Sequence, residues 1–226
     1  MFESETKFVL NNSAVHLIIQ WLRSRCLPDP DFPAGIVSSI YYDTREWQFL
    51  REKVNSDYHK TKIRIRWYVD INTDEPSLDS FLEAKYKIGG RREKHRVKTD
   101  ISGEWLSGVR LDNVKLLDIP RRLWKHGIIV RGPLLPVFKI SYKRLRFIEP
   151  VTRTRVCIDY DICAPAVNRQ MVPFTNPFRL NKAVFELKGS LTRLPDTLHQ
   201  LTALGCRKES FSKYALCYNK IMRIVL

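Results

Sequence analysis

The chain has 226 residues, 44% of them hydrophobic, with five Trp, nine Tyr and eleven Phe. That composition excludes a disordered basic tail and gives enough apolar surface for one substantial core. Lys and Arg number 39 against 24 Asp and Glu, a formal net charge of +15, so an anionic partner is expected. Charge alone leaves polyphosphate, nucleotide, nucleic acid and an anionic membrane surface open.

In chain order, Phe2–Leu10 reads as a strand. Asn12 and Ser13 then cap an amphipathic helix whose apolar stripe is Val15, Ile18, Ile19 and Leu22. Pro28, Pro30 and Pro33 break the chain. Ser38–Tyr42 reads as a strand, continuing through Asp43-Thr44 into a short segment ending near Lys53. Two strands follow at Thr61–Val69 and Ser80–Ile88, joined by a turn at Asn72–Pro76. Gly89-Gly90-Arg91-Arg92 is a basic turn leading into a further strand at Lys94–Thr99. Residues 104–127 read as helix in pieces, interrupted at Pro120. Strands return at Leu135–Phe147, Arg153–Ile162 and Ala183–Lys188. Two helices close the chain, about Leu194–Leu204 and Phe211–Arg223, the second capped by Ser210. Without an internal repeat or a linker, residues 1–226 are expected to form a single domain.

No stretch approaches the roughly 18–20 apolar residues of a membrane span, and an acidic N-terminus does not resemble a secretory signal. Five cysteines, Cys26, Cys157, Cys163, Cys206 and Cys217, form no CxxC pair and are odd in number. They read as reduced, mostly buried thiols of a cytoplasmic protein, and neither they nor the five histidines have zinc-ligand spacing.

The informative pattern is a strict period of two. Lys62-Ile63-Arg64-Ile65-Arg66-Trp67 places every charge on one face of a strand and every apolar side chain on the other. Segments 3–7, 82–88, 142–146, 153–160 and 184–188 repeat the alternation. Their polar faces are almost purely ionic. Lys7, Lys62, Arg64, Arg66, Lys85, Arg144, Arg155 and Lys188 suit phosphate oxygens, Arg as a fork and Lys as a point charge. Glu3, Glu5, Glu83 and Glu186 would repel a bare phosphate chain, but with a divalent cation between them they become ligands in an oxygen-only Mg²⁺ or Mn²⁺ site. The bland alternative is cross-strand salt bridging, against which stands the excess of bases over acids. An open sheet leaves such charges unshielded. The expectation is therefore α+β: a closed antiparallel eight-stranded β-barrel with charges lining its lumen and helices packed outside.

The order of these segments resembles a known family. Glu3-x-Glu5-x-Lys7 is similar to the Glu-x-Glu-x-Lys signature of the triphosphate tunnel metalloenzymes. Tyr41-Tyr42-Asp43-Thr44, Lys62 to Tyr68, Phe81-x-Glu83-x-Lys85, Tyr142-x-Arg144, Arg155 to Asp159, Phe185-Glu186-x-Lys188 and Phe211-x-Lys213-Tyr214 follow. Together they resemble the VTC domain, the polyphosphate-polymerase module of the eukaryotic vacuolar transporter chaperone, also found in bacterial proteins. The resemblance implies a tunnel that takes a nucleoside triphosphate, ATP, with Mn²⁺ or Mg²⁺ and passes its γ-phosphate to a growing polyphosphate chain. It implies that Arg64, Arg66, Lys85, Arg144 and Arg155 grip phosphates, with Lys213 contributing to the same site. Glu186 would be the principal metal ligand, and Glu3, Glu5 and Glu83 would support the metal or orient bases. Lys7, Lys62 and Lys188 would contact phosphate. Lys98 or Arg96 would add a contact, the spacing not choosing between them, and Tyr142 suits packing as well as a ligand contact. Arg91, Arg92 and Lys94 read as a solvated loop or a basic rim. Nothing resembles the eukaryotic phosphate-sensing module, so coupling to export is not expected of this chain alone.

The absence of a GxxxxGK[ST] loop and of any nucleophile–base arrangement agrees with chemistry by positioning and charge neutralisation. Two rivals stand beside the polymerase. One is a metal-dependent triphosphatase on the same scaffold; the other is a non-catalytic module for polyanions such as RNA. Nucleic acid is not the expected partner, because Ile63, Ile65 and Trp67 lie opposite the bases instead of interleaving with them as stacking platforms.

Overall fold

Wherever charge and apolar residues alternate strongly, a strand forms. The computed structural model describes residues 4–89, 91–130, 132–172, 176–189 and 194–225. Its strands are β1 (Ser4–Asn11), β2 (Leu27–Pro28), β3 (Ala34–Asp43), β4 (His59–Val69), β5 (Pro76–Ile88), β6 (Arg91–Thr99), β7 (Leu135–Ile148), β8 (Arg155–Val167), β9 (Phe178–Arg179), β10 (Lys182–Gly189) and β11 (Arg207–Lys208). The helices are α1 (Val15–Arg25), α2 (Gln48–Val54), α3 (Gly103–Gly108), α4 (Lys115–Asp118) and α5 (Lys213–Val225). Short 3-10 segments lie at Asn12–Ala14, Pro120–His126 and Asp196–Leu201.

The expected closed eight-stranded barrel does not form. Eleven antiparallel strands make an open sheet whose hydrogen-bonded path runs β11-β1-β10-β8-β7-β3-β4-β5-β6, with β2 on β7 and β9 on β8. The two end strands are not paired with each other, and closure requires that pairing. Alternation decides which face is ionic but says nothing about whether the edges meet. The shielding that seemed to need a lumen is supplied within the sheet, where buried carboxylates lie beneath the bases. The edge strand β6 is Arg- and Lys-rich, a composition that discourages further strand pairing.

By internal contact the chain divides into two units, residues 1–36, 142–162 and 179–212, and residues 37–141, 163–178 and 213–226. The division falls inside β3, β7, β8 and β9.

In the first unit the apolar faces of β1, β8 and β10 present Phe8, Leu10, Val156, Ile158, Phe185 and Leu187 to α1. Buried residues of α1 fall at Val15, Ile18, Ile19 and Leu22, the i, i+3, i+4, i+7 stripe of an amphipathic helix. The expected cap is absent. Asn12 instead exchanges hydrogen bonds with Asp161, its Nδ2 donating to Oδ1 and its Oδ1 accepting from the Asp161 backbone N–H, both at 3.3 Å. The expected helix at 194–204 is reduced to the 3-10 segment.

In the second unit Ile63, Ile65, Trp67, Leu82 and Ala84 from β4 and β5 pack against Leu106 of α3, Leu116 of α4 and Leu123. Helix α3 starts at Ser102, whose hydroxyl accepts from the Trp105 N–H at 3.2 Å. Trp67 Nε1 donates to Ser107 Oγ at 2.9 Å and so fixes α3 on the sheet. The pieces predicted for 104–127 are α3, α4 and the 3-10 segment begun by Pro120. Strand β6 begins at Arg91, so Arg91 and Arg92 belong to the strand instead of to a turn. Gly89, at φ +56°, makes the reversal. The last helix starts at Lys213, not Phe211.

Candidate functional site

Strands β4, β5 and β6 pair in register without a slip through their ionic stretch, so their side chains stand in rows. The rows are Lys60–Lys87–Arg92, Lys62–Lys85–Lys94, Arg64–Glu83–Arg96 and Arg66–Phe81–Lys98. All twelve share one face of the sheet, since directly paired residues point the same way. Ten are basic and one is a carboxylate. Three lysines abreast are destabilising neighbours in isolation.

Glu83 holds this face together. It is 1% exposed. Its Oε2 accepts from Arg64 Nε at 2.9 Å and Arg64 Nη2 at 2.6 Å, with Arg66 Nη1 3.7 Å away. Its Oε1 is buried without a hydrogen-bond partner among the described residues, while Lys94 Nζ and Arg96 Nε stand 3.4 and 3.8 Å away. Burial pushes the Glu83 carboxyl up, but Arg64, Arg66 and Lys94 outweigh it and hold it well below the usual carboxylate range. Glu83 is therefore ionised throughout the physiological range.

Tyr41 of β3 joins this cluster. Its hydroxyl accepts from Arg64 Nη1 at 2.8 Å, and burial, which raises its phenol, is overcome by Arg64, Arg66 and Lys213. Tyr214 of α5 stacks on Tyr41, centroids 5.4 Å apart, and donates to Asp43 Oδ2 at 2.7 Å. Asp43 also accepts from the backbone N–H groups of Phe49 and Leu50, clamping the start of α2. The Tyr41–Thr44 motif thus sends Tyr41 to the bases, buries Tyr42 in the core and spends Asp43 on two helices. Lys213, 9% exposed, is brought to Tyr41 by the first turn of α5.

A second ionic cluster belongs to the other unit. Glu5–Lys188–Arg155, Lys7–Glu186–Cys157 and Val9–Val184–Asp159 are its rows across β1, β10 and β8. Lys7 Nζ lies 3.4 Å from Glu186 Oε1 and 3.8 Å from Glu5, and donates to the Phe211 carbonyl at 3.4 Å. Arg144 of β7 grips Asp159 with two bonds, 2.5 and 2.6 Å, and reaches Glu186 Oε2 at 3.3 Å. Asp159 is fully buried. Burial lowers the Arg144 guanidinium, but Asp159 more than restores it and keeps the proton firmly on. Cys157 donates weakly to Glu186 Oε2 at 3.6 Å, and burial pushes its thiol up to about 12.

Of the residues singled out from sequence, Arg64, Arg66 and Glu83 meet in one cluster, with Lys62 and Lys85 in the adjoining row and Lys213 beside Tyr41. Lys7, Glu5, Glu186 and Arg144 meet in the other, with Lys188 and Arg155 in its outer row. Tyr142 is buried with the Arg144 guanidinium 5.4 Å from its ring. Glu3 lies outside the described residues. Lys98 is exposed and paired with Asp79 at 2.8 Å, whereas Arg96 lies over Phe81. Sequence reasoning assigned no role to Asp159, Tyr41 or Tyr214. Parity alone could have found Asp159, two positions from Cys157 and four from Arg155.

No three Asp, Glu, His or Cys side chains group as a metal site among the described residues. The donor set fits a divalent cation only jointly with phosphate: Glu5 and Glu186, within reach of one ammonium, could supply carboxylate oxygens while a triphosphate supplies the rest.

The sequence matches the VTC domain family over residues 2–222. No curated protein matches it significantly. Among solved structures, the PH1819 protein of Pyrococcus horikoshii OT3 is 17% identical with a TM-score of 0.54, covering 97% of this chain and 99% of that one. A Bacillus halodurans protein described as a "putative adenylate cyclase" is 13% identical, also with a TM-score of 0.54, covering 94% and 96%. At such identities these likenesses show the fold alone.

Proposed function

The chain belongs to the VTC domain family, and from that premise we propose that it is a phosphotransferase, moving the γ-phosphate of ATP onto an inorganic polyphosphate chain. The observation that carries the reading is the basic face of β4–β6: ten cations in register around one buried carboxylate. On this face the cations outnumber the one carboxylate ten to one, and such a concentration of positive charge attracts a polyanion such as polyphosphate.

Transfer joins a terminal oxygen of the acceptor chain to the γ-phosphorus and breaks the bond from that phosphorus to the β-bridging oxygen, with ADP leaving. The attacking oxygen is already ionised, so no general base is needed. Arg64, Arg66, Lys62 and Lys85 hold phosphates and offset charge as it shifts to the leaving oxygen. Tyr41 and Glu83 keep the Arg64 fork in place. In the second cluster, taken by itself, Arg144 is a positioning residue that orders Asp159 and Glu186, and Lys7, Lys188 and Arg155 are cations suited to phosphate oxygens. A divalent cation, Mn²⁺ or Mg²⁺, would be held by Glu186 and Glu5 together with substrate phosphates and would neutralise phosphate charge there.

The test is incubation with ATP and Mn²⁺, with products resolved on a polyacrylamide gel. Long-chain polyphosphate is expected. Orthophosphate as the sole product would transfer the reading to a triphosphatase. Binding of tripolyphosphate that survives both EDTA and Glu186→Gln, without turnover, would make the chain a polyanion-binding module.

A further inference from the structure

One residue interrupts the basic face. Phe81 occupies the centre of the row Arg66–Phe81–Lys98, where every other position but Glu83 is Lys or Arg. It is half-buried and turned away from the apolar core that its neighbours Leu82 and Ser80 face. Packing does not explain it. Around its ring, the Arg96 guanidinium carbon lies 3.8 Å from the centroid, the distance of a flat cation–π stack. Tyr68 meets the ring edge-on, centroids 6.2 Å apart, and its hydroxyl accepts from Arg96 Nη2 at 3.2 Å. Burial raises the Tyr68 phenol, but Arg66 and Arg96 draw it below its ordinary value, which strengthens its hold on Arg96. Phe81 and Tyr68 thus orient a guanidinium plane on an exposed edge strand.

An aromatic ring and an oriented guanidinium are the surfaces on which nucleobases stack. Arg96 is also poorly disposed for phosphate, with its donors turned toward Tyr68 and Glu83. Arg64 lies in the same row, two strands away, roughly 10 Å at ordinary strand spacing. A ribose and its first phosphates bridge that gap. We propose that Phe81, Arg96 and Tyr68 form a nucleobase platform, the contact that determines how tightly the nucleoside part of the donor is held. The proposal rests on the phosphate-binding reading of the β4–β6 face. Stacking is tolerant of base identity, so ATP and GTP would be used alike and pyrimidine nucleotides less well.

Calorimetric titration of the wild-type chain with ATP and with inorganic tripolyphosphate tests it. Phe81→Ala is expected to weaken ATP about five-fold or more, the lower end of a stacking contribution, while tripolyphosphate affinity stays within two-fold. Phe81→Tyr retains a ring and restores ATP. Phe81→Leu retains apolar volume without a ring and does not, which separates stacking from packing. Equal losses for both ligands, no loss for either, or rescue by Leu overturns the platform and leaves the phosphate grip standing. A wild-type chain that binds neither ligand overturns both.

Discussion

Glu83→Gln removes one charge and almost no volume, so its effect isolates electrostatics. Glu83 is 1% exposed, and its Oε2 accepts two hydrogen bonds from the charged Arg64 guanidinium. Such bonds contribute about 1.5–3 kcal/mol each, and breaking a buried ion pair costs about 3–5 kcal/mol. Gln can still accept one neutral bond from Arg64, so a loss near 3 kcal/mol is expected, or roughly 6–12 °C in Tm for a chain of this length. The same substitution removes the negative charge that Arg64, Arg66 and Lys94 share. Tripolyphosphate in metal-free buffer should then bind the variant at least about five-fold more tightly than the wild type, which corresponds to ~1 kcal/mol of extra stabilisation at saturation. The assay is thermal denaturation of both proteins with and without tripolyphosphate. A pH series adds a sign. The Glu83 carboxyl is depressed below its ordinary value of 4.5 in the folded chain, so its stabilisation is complete above that pH and is lost as pH falls further. The gap between wild type and variant must close in acid. A variant that loses under about 1 kcal/mol, or one that tripolyphosphate stabilises no more than wild type, would refute the account of Glu83 as the internal counterion of the basic face.

Arg144→Met leaves fully buried Asp159 without its two bonds; a loss of about 3–5 kcal/mol is expected in urea denaturation, larger than for Arg144→Lys, which keeps the charge but not the fork. Gly103→Ala places a Cβ 2.4 Å from the Ser77 carbonyl oxygen and 2.9 Å from Trp67 Cδ1, so about 1–3 kcal/mol of overpacking should appear as a lower Tm. Burial lowers the Lys139 ammonium to about 8 while its Nζ donates to the Ser107 and Val109 carbonyls. The unfolded chain therefore binds this proton more tightly, stability should rise between pH 8 and 10, and Lys139→Met should flatten that rise. None of the five cysteines forms a disulfide; burial lifts Cys26 and Cys206 to about 11, so native protein should react slowly with iodoacetamide at neutral pH, partly exposed Cys163 reacting first.

What was legible in the sequence is what period two encodes. The Lys62–Trp67 alternation located β4, fixed which residues face the ionic side and placed Ile63, Ile65 and Trp67 in the core. Register follows from it once the hydrophobic faces are buried, because a one-residue slip would exchange the faces. Closure did not follow, since edge pairing depends on curvature and strand ends that no local pattern records. The two-residue strands β2, β9 and β11 are too short to carry a period. The role of Tyr214 is not legible in the sequence, because its hydrogen-bond partner Asp43 lies 171 positions away. Asp159 was overlooked for a different reason. Counting bases against acids along each strand hid that one buried carboxylate could absorb a guanidinium that seemed available to phosphate.

That last point changes how the basic residues divide. Arg144 is spent on Asp159, and Arg64 is shared between Glu83 and Tyr41, so the arginines nearest the acids are held in fixed orientation and lend direction more than charge. The lysine row Lys62–Lys85–Lys94 and the neighbouring row Lys60–Lys87–Arg92 include no carboxylate. An anion laid across those rows offsets the repulsion within them, and each cation so neutralised stabilises the sheet as well as the complex. Affinity for a polyanion and stability of β4–β6 are therefore one quantity measured in two ways. A chain long enough to cross both rows should stabilise the protein more than tripolyphosphate does at equal phosphate concentration. Replacing Lys85, the middle of the lysine row, by Met should reduce that length dependence, read as the difference in Tm shift between the long chain and tripolyphosphate.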